Sequence, residues 1–305
     1  MIRSEYLDLL AEKGALEGMI AETPPQNVLD RASLVSRLGA IDEAIASAGS
    51  PERDPARARL TFSGRPVIGT HGIFAEFGMK ATNGFAESVT AMAASLAGPL
   101  APMGPIRNRD QHQLLITSTA LGSFGFELEE YRSGQFELAE TSPVAQALER
   151  TQEVLRGSMG TDDELADSAV DADRRALDKI RAFLKTLADN DAVCALQVGE
   201  SRVAFSDVGQ VRTSLERLSP ENLREETTTL TGEVLGVLPI SRVFEFKLAD
   251  SGQTVRVKIG PGIADPHALN AAVGRLMRVH VTMTRIGSGR PRYVLTASPE
   301  AATLP

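Results

Sequence analysis

The sequence predicts an α+β protein with an N-terminal helical hairpin, a central, mainly antiparallel α+β domain and a C-terminal five-stranded small β-barrel. Three observations predict this order. Apolar residues recur at helical spacing over residues 1–48, clustered strand-like and helix-like segments fill residues 56–226, and short alternating segments fill residues 227–298. We expect these three regions to be separate domains.

The first domain is predicted from a heptad pattern of apolar residues. The pattern is interrupted at Thr23-Pro24-Pro25, where a helix ends because proline disfavours helical geometry in the residue before it. Two helices joined by so short a break should pack as an antiparallel hairpin, which buries little surface by itself. We therefore expect the hairpin either to pack on the rest of the chain or to be an assembly or docking arm. The predicted docking residues are Leu9, Leu16, Leu34, Leu38 and Ile41.

The central domain is predicted from short strands that are paired around turns and separated by helices. The predicted strand pairs are 59–62 with 66–69, 113–119 with 124–130, and 193–198 with 202–205. The predicted helices are 73–96, with Thr70 as its N-cap, 143–156 and 172–188. Because the strands and helices cluster without strict alternation, the sheet should be mainly antiparallel.

The barrel is predicted from five segments of alternating apolar and polar residues. A short helix, 265–273, lies between the third and fourth segments, with Asp265 as N-cap and Pro266 in its first position. This order of elements is typical of a small OB-like barrel. An SH3-like barrel stays open as the alternative, because periodicity does not distinguish two closed five-stranded sheets. The five segments are 230–237, 242–248, 254–259, 275–284 and 292–297.

Charge is segregated along the chain, whose formal net charge is −8. Residues 137–173 contain ten acidic and two basic residues, whereas residues 227–305 contain nine basic and five acidic ones. Acidic and basic residues are therefore concentrated in different modules of the chain.

Strand alternation places basic side chains on the outer face of the predicted barrel, where OB-like barrels bind nucleic acids. This outer set has no Phe, Tyr or Trp for stacking on bases. Two alternatives are a solvated face and a surface that docks an acidic segment, including residues 137–173 of this chain. The candidate anion-binding or nucleic-acid-binding residues are Lys247, Arg256, Lys258, Arg278 and His280, with Arg290 and Arg292 in the following loop and strand.

No motif in the sequence names a reaction. His71 and His112 could form an acid/base site with Asp110 or Glu76, which is the enzyme alternative. The single cysteine, Cys194, lies in an apolar strand and should be buried. The carboxylates of residues 162–164 could hold magnesium, but they precede a helical segment, where they favour its N-terminus. We predict no metal site and no cofactor.

The function predicted from the sequence is that of a non-enzymatic modular binding or assembly protein. It would act through a protein partner or through self-association of the hairpin. The alternative is that the barrel binds nucleic acid or an acidic segment. The acidic N-terminal residues, the lack of a long apolar run and the single cysteine favour a cytoplasmic protein that has no membrane partner.

Overall fold

The computed structural model of the chain describes residues 2–48, 53–120, 124–132 and 141–302. Its helices, antiparallel sheet and closed barrel confirm the predicted α+β class. The chain divides into two compact units, one containing Met1–Ala56 and the other containing Arg57–Glu137 and Thr141–Pro305. The predicted turn at residues 121–123 lies outside the described residues.

The first unit contains the predicted helical hairpin. Helix α1 (Arg3–Glu22) and helix α2 (Val28–Ser47) are separated by the predicted break at Pro24-Pro25. The helices run antiparallel: Lys13 Nζ lies 2.7 Å from Asp42 Oδ1 toward one end of the pair, and Arg31 donates to the Ile20 carbonyl at 2.9 Å toward the other. Leu16 of α1 and Ile41 of α2 are buried.

The second unit begins with an antiparallel sheet. The strands of this region are β1 (Arg57–Gly64), β2 (Val67–Ile68), β3 (Gly72–Ile73), β4 (Leu114–Thr119), β5 (Phe124–Glu130), β6 (Ala192–Val198) and β7 (Ser201–Ala204). In the described part of the chain, the main sheet has the order β4-β5-β1-β6-β7 with antiparallel neighbours, so β4 forms one edge. Ile116 of β4 is 59% exposed.

The prediction that residues 66–69 pair with 59–62 is wrong. β2 pairs with β3 instead. The reason is that β5 and β6 occupy the two sides of β1, and the pairing with β6 continues to Gly64. Residues 66–69 therefore have no free edge of β1 beside which to lie.

Five helices are described between β3 and the barrel: α3 (Ala75–Leu96), α4 (Pro143–Met159), α5 (Asp162–Ala169), α6 (Arg174–Asp189) and α7 (Val208–Arg217). Helix α3 packs on α4 and α6, and α4 and α6 also contact β6. Alternate residues of β1, Leu60 and Phe62, are buried, and the Phe62 ring meets the Phe77 ring of α3 edge to face at 5.5 Å.

Thr70 is not the N-cap of α3. Phe74 is, because residues 69–71 form the turn between β2 and β3.

The barrel strands are β8 (Leu223–Leu238), β9 (Val243–Leu248), β10 (Thr254–Ile259), β11 (Leu276–Ile286), β12 (Arg292–Leu295) and the short β13 (Glu300–Ala301). β8 pairs with β9 and β11, β10 pairs with β9 and β12, and β11 pairs with β12, which closes five described strands into a barrel. β10 and β12 are parallel, and a 3-10 helix (Pro266–Ala272) precedes β11. This pairing of the third strand with the fifth follows the OB-like order.

The barrel core confirms the predicted inward phase of the strands. Phe244 and Phe246 of β9 are buried and meet edge to face, with ring centroids 6.0 Å apart. They pack with Val257 of β10 and with Val279 and Val281 of β11. The polar residues between them on each strand therefore face outward, as the period of a strand requires.

Candidate functional site

The predicted docking residues of the hairpin lie on its least exposed side. Leu16 and Ile41 are buried, and Leu9, Leu34 and Leu38 are half-buried. The heptad pattern therefore marks the seam between α1 and α2. The docking role of these five residues stays a prediction.

Other apolar side chains of the hairpin are exposed, and the heptad analysis did not single them out. Leu29 is 86% exposed, and Leu7, Met19 and Val35 are each more than half exposed. The only indication in the sequence was that these apolar residues fall outside the heptad positions.

Ion pairs lie beside the seam of the hairpin. Arg37 Nη2 lies 2.7 Å from Glu12 Oε1. The hydrogen bond from Lys13 to Asp42 raises the pKa of the Lys13 ammonium above its ordinary value. Both pairs join α1 to α2 and so stabilise their antiparallel alignment.

Two candidate cations of the barrel, Lys247 of β9 and Arg256 of β10, are exposed. Arg256 Nε lies 3.8 Å from Glu245 Oε1 on the neighbouring strand. Lys247 lies opposite Glu233 of β8 in the strand register. The outer face of β9 and β10 therefore carries carboxylates among its cations, and it is less basic than the sequence alone suggested.

Arg278 and His280 project from β11. Arg278 is exposed and lies opposite Thr231 of β8 and Glu300 of β13 in the register. The Nδ1 atom of His280 lies 2.9 Å from the Thr229 hydroxyl. These two residues lie opposite the part of β8 that precedes its pairing with β9.

The remaining candidates, Lys258, Arg290 and Arg292, contact the acidic segment. The ammonium of Lys258 is paired with Asp171, which follows α5. Arg292 Nε donates to Asp167 Oδ1 at 2.5 Å, and the backbone N–H of Arg290 donates to Asp163 Oδ1 at 2.8 Å. These three residues lie at the end of β10, in the β11–β12 loop and at the start of β12.

The helix that carries the acidic side chains to the barrel, α5, begins with a capping box. Glu164 N donates to the Thr161 hydroxyl, and Thr161 N donates back to the Glu164 carboxylate at 2.6 Å. The backbone N–H and the hydroxyl of Thr161 both donate to the Glu164 carboxylate, and these two hydrogen bonds lower the pKa of the Glu164 carboxyl. The prediction that the carboxylates of residues 162–164 belong to a helix N-terminus is confirmed.

The β11–β12 loop is shaped to receive α5. Gly287 has a φ of +50°, and a Cβ atom there would lie 2.4 Å from Asp162 Oδ2. Ser288 N also donates to Asp162 Oδ2, at 3.3 Å. A larger residue at position 287 would therefore be strained and would displace the aspartate.

A cleft of about 290 Å³ lies between α4 and α5. Its lining includes Glu149 and Glu153 from α4, Asp167 from α5 and Asp171. Arg150 Nη1 also lines it, 3.7 Å from Asp171 Oδ2. Asp167 and Asp171 also form the ion pairs with Arg292 and Lys258 of the barrel. The cleft therefore adjoins the contact between α5 and the barrel.

The residues of the enzyme alternative lie at different positions along α3. His71 is exposed in the turn that precedes α3, whereas His112 is buried and its carbonyl accepts from the Thr90 hydroxyl. Thr90 is fifteen residues beyond Ala75, about 22 Å along the helix axis. The described residues include no contact between the two histidines.

Cys194 lies on β6 and is buried, as predicted. Burial raises the pKa of its thiol to about 12, so it is not a nucleophile near neutral pH. Within the described ranges, no group of three or more His, Cys, Asp and Glu side chains could hold a metal ion.

None of the described helices is both long and apolar enough to cross a membrane. Comparison of this chain with protein-family models, curated proteins and solved structures finds no match.

Proposed function

We propose that this protein is a non-enzymatic modular binding protein that assembles through the outer surface of its helical hairpin. The supporting observation is that Leu7, Met19, Leu29 and Val35 remain exposed on the hairpin, although Leu16 and Ile41 are buried between its helices. Covering a large apolar side chain contributes about 1.5–3 kcal/mol when its burial is complete. A partner that covers several of them therefore gains a substantial stabilisation.

A second copy of this chain is the favoured partner. Two hairpins can pack as a four-helix bundle, in which each supplies the apolar neighbours that the other lacks. Residues 1–48 contain eight acidic and four basic residues, so two copies repel each other electrostatically. Salt screens this repulsion, and the association should strengthen as moderate salt is added.

Light scattering of the full chain over a range of protein and salt concentrations tests this function. We expect a dimer or larger oligomer for the unaltered chain and a monomer for the Leu7→Glu/Leu29→Glu variant. Ile240→Glu is the matched control, since Ile240 is 96% exposed in the β8–β9 connection of the barrel, and it should associate like the unaltered chain. A monomer at every concentration and salt level would overturn assembly by self-association.

A second candidate function is the binding of an anionic polymer, such as single-stranded nucleic acid, by the barrel. It is favoured by the OB-like strand order and by the exposure of Lys247, Arg256 and Arg278 on the outer face. Binding through such contacts weakens as salt rises, by about 0.7 in log K per log salt for each phosphate neutralised on a single strand. The Lys247→Glu/Arg256→Glu variant of the full chain should lose binding to a labelled oligothymidine. Unchanged binding by this variant would overturn the assignment to this face.

A further inference from the structure

The acidic side of α5 forms a row that faces the barrel. Asp163, Asp167 and Asp171 are spaced by four residues, so they lie on one side of the helix and its C-terminal extension. Each of them contacts a different part of the barrel: Asp163 the β11–β12 loop, Asp167 strand β12 and Asp171 strand β10. Asp162 adds a contact to the same loop.

These contacts cover the part of the barrel that such folds use for anionic ligands. OB-like barrels bind oligonucleotides on the face of their second and third strands and with the loop between the fourth and fifth strands. Here β10 is the third strand, and the β11–β12 loop joins the fourth to the fifth. The carboxylates of α5 therefore lie where the phosphates of a ligand would lie.

We propose that α5 is an intramolecular occupant of the anion-binding surface of the barrel, and that an anionic polymer binds there only by displacing it. This inference rests on the second candidate function above. α5 holds Lys258 and Arg292 through ion pairs, and those cations become available to phosphates when α5 moves away.

The contact is suited to reversible opening. The Asp167 carboxylate is 66% exposed, so solvent reaches its pair with the partly buried Arg292 from one side, and ion pairs that solvent reaches are individually weak. α5 itself spans only eight residues between α4 and α6, which is too short for a helix to be stable without tertiary contacts. The apolar side of α5 is buried and α5 also packs on α4, so breaking its polar contacts with the barrel does not require the sheet or the barrel to unfold.

Affinity for a labelled single-stranded oligothymidine, measured on full-length chains at low salt, tests the proposal. The Asp163→Asn/Asp167→Asn/Asp171→Asn variant removes the charges of the row and leaves their shape. The Asp178→Asn/Asp189→Asn/Glu200→Gln variant is the matched control, because it removes three charges from α6 and from the β6–β7 turn. We expect the row variant to bind at least about fivefold more tightly than the control.

The outcomes separate the inference from the function on which it rests. Equal affinity of the row variant and the control, with measurable binding by the unaltered chain, would overturn the occupancy by α5 and leave the binding function standing. No binding by any of the three chains would overturn the binding function and the inference together.

Hydrogen exchange of the unaltered chain supplies a readout that does not depend on the folding of a variant. α5 and its flanking residues form the segment 161–171. We expect exchange in this segment to become faster when the oligothymidine saturates the chain, because so short a helix is stable only with tertiary contacts, and displacement removes its contacts with the barrel. Unchanged or slower exchange in that segment at saturation would show that the ligand binds without displacing α5.

Discussion

Arg292 of β12 donates from Nε to Asp167 of α5 at 2.5 Å, across 125 residues of sequence. Arg292 Nη2 also lies 3.6 Å from Asp163 Oδ1. The hydrogen bond to Asp167 raises the pKa of the guanidinium above its already high ordinary value. The sequence pattern made Arg292 a candidate for binding an external anion. In the structure its guanidinium instead joins the barrel to α5 within the second unit.

Replacing Arg292 by alanine should reduce the free energy of unfolding by about 1 kcal/mol, because it removes a partly buried pair and the packing of the side-chain stem. Arg290→Ala is the control, since Arg290 contacts Asp163 through its backbone N–H. It should change stability by less than about 0.5 kcal/mol. Denaturant titrations at low and high salt measure both values. An effect of Arg292→Ala that does not shrink at high salt would contradict an electrostatic origin.

The pair between Glu87 of α3 and Lys179 of α6 predicts a dependence of stability on pH. The hydrogen bond from Lys179, at 2.6 Å, lowers the pKa of the Glu87 carboxyl from its ordinary 4.5. A carboxyl with a lowered pKa in the folded state stabilises the protein above the unfolded value, and this stability is lost as pH falls through the folded value. Glu87→Gln should therefore be less stable than the unaltered chain near neutral pH, by no more than about 1 kcal/mol.

Denaturant titrations between neutral and acidic pH compare Glu87→Gln with the unaltered chain. The difference between them should close as pH drops below 4.5. Glu76→Gln, on the exposed first turn of α3, is the matched control and should show little difference at any pH. A gap for Glu87→Gln that persists under acidic conditions would mean that packing, rather than the charge of Glu87, carries its effect.

Cys194 should resist alkylation in the folded protein. Its thiol is buried and has a pKa of about 12, and thiolate is the reactive species. Labelling with iodoacetamide at slightly alkaline pH should proceed only in denaturant. Rapid labelling of the native chain would show that β6 is accessible to solvent.

The barrel core should depend strongly on Phe246. Phe246→Ala removes a fully buried ring that meets Phe244 edge to face, and it should reduce the free energy of unfolding by about 3–5 kcal/mol. Phe74→Ala, in which the ring is 57% exposed, is the matched control and should reduce it by less than about 1 kcal/mol. Thermal and denaturant unfolding measure both. Similar losses for the two variants would contradict the assignment of Phe246 to the core.

The hairpin and the barrel were predictable because their patterns are local and repeated. The heptad steps and Pro24-Pro25 fix two helices and the break between them. In the barrel, alternation along β9, β10 and β11 sorted Phe246, Val257 and Val279 from the outward residues. The division of the second unit at residues 226 and 227 stays a prediction.

Other features depend on tertiary contacts that a local pattern does not contain. α5 and α7 are short and polar. The sequence analysis placed a helix N-terminus at residues 162–164 but gave no bounds for α5, and it did not predict α7 at all. The β2–β3 pairing was missed because both sides of β1 are taken by strands that come much later in the chain. Lys258 is separated from its partner by 87 positions, and Arg292 from its partner by 125. The segregation of charge therefore indicated that an acidic segment could dock on the barrel, but not where on the barrel it docks.

The two sheets of the second unit differ in how they end. The barrel closes on itself through β11 and β12, whereas β4 leaves one edge of the central sheet open among the described residues, beside exposed Leu115 and Ile116. Open edges with apolar side chains are templates on which another chain adds a strand. Aggregates that form on partial heating should therefore grow from β4, and a lysine at Ile116 should delay their onset while the barrel stays uninvolved.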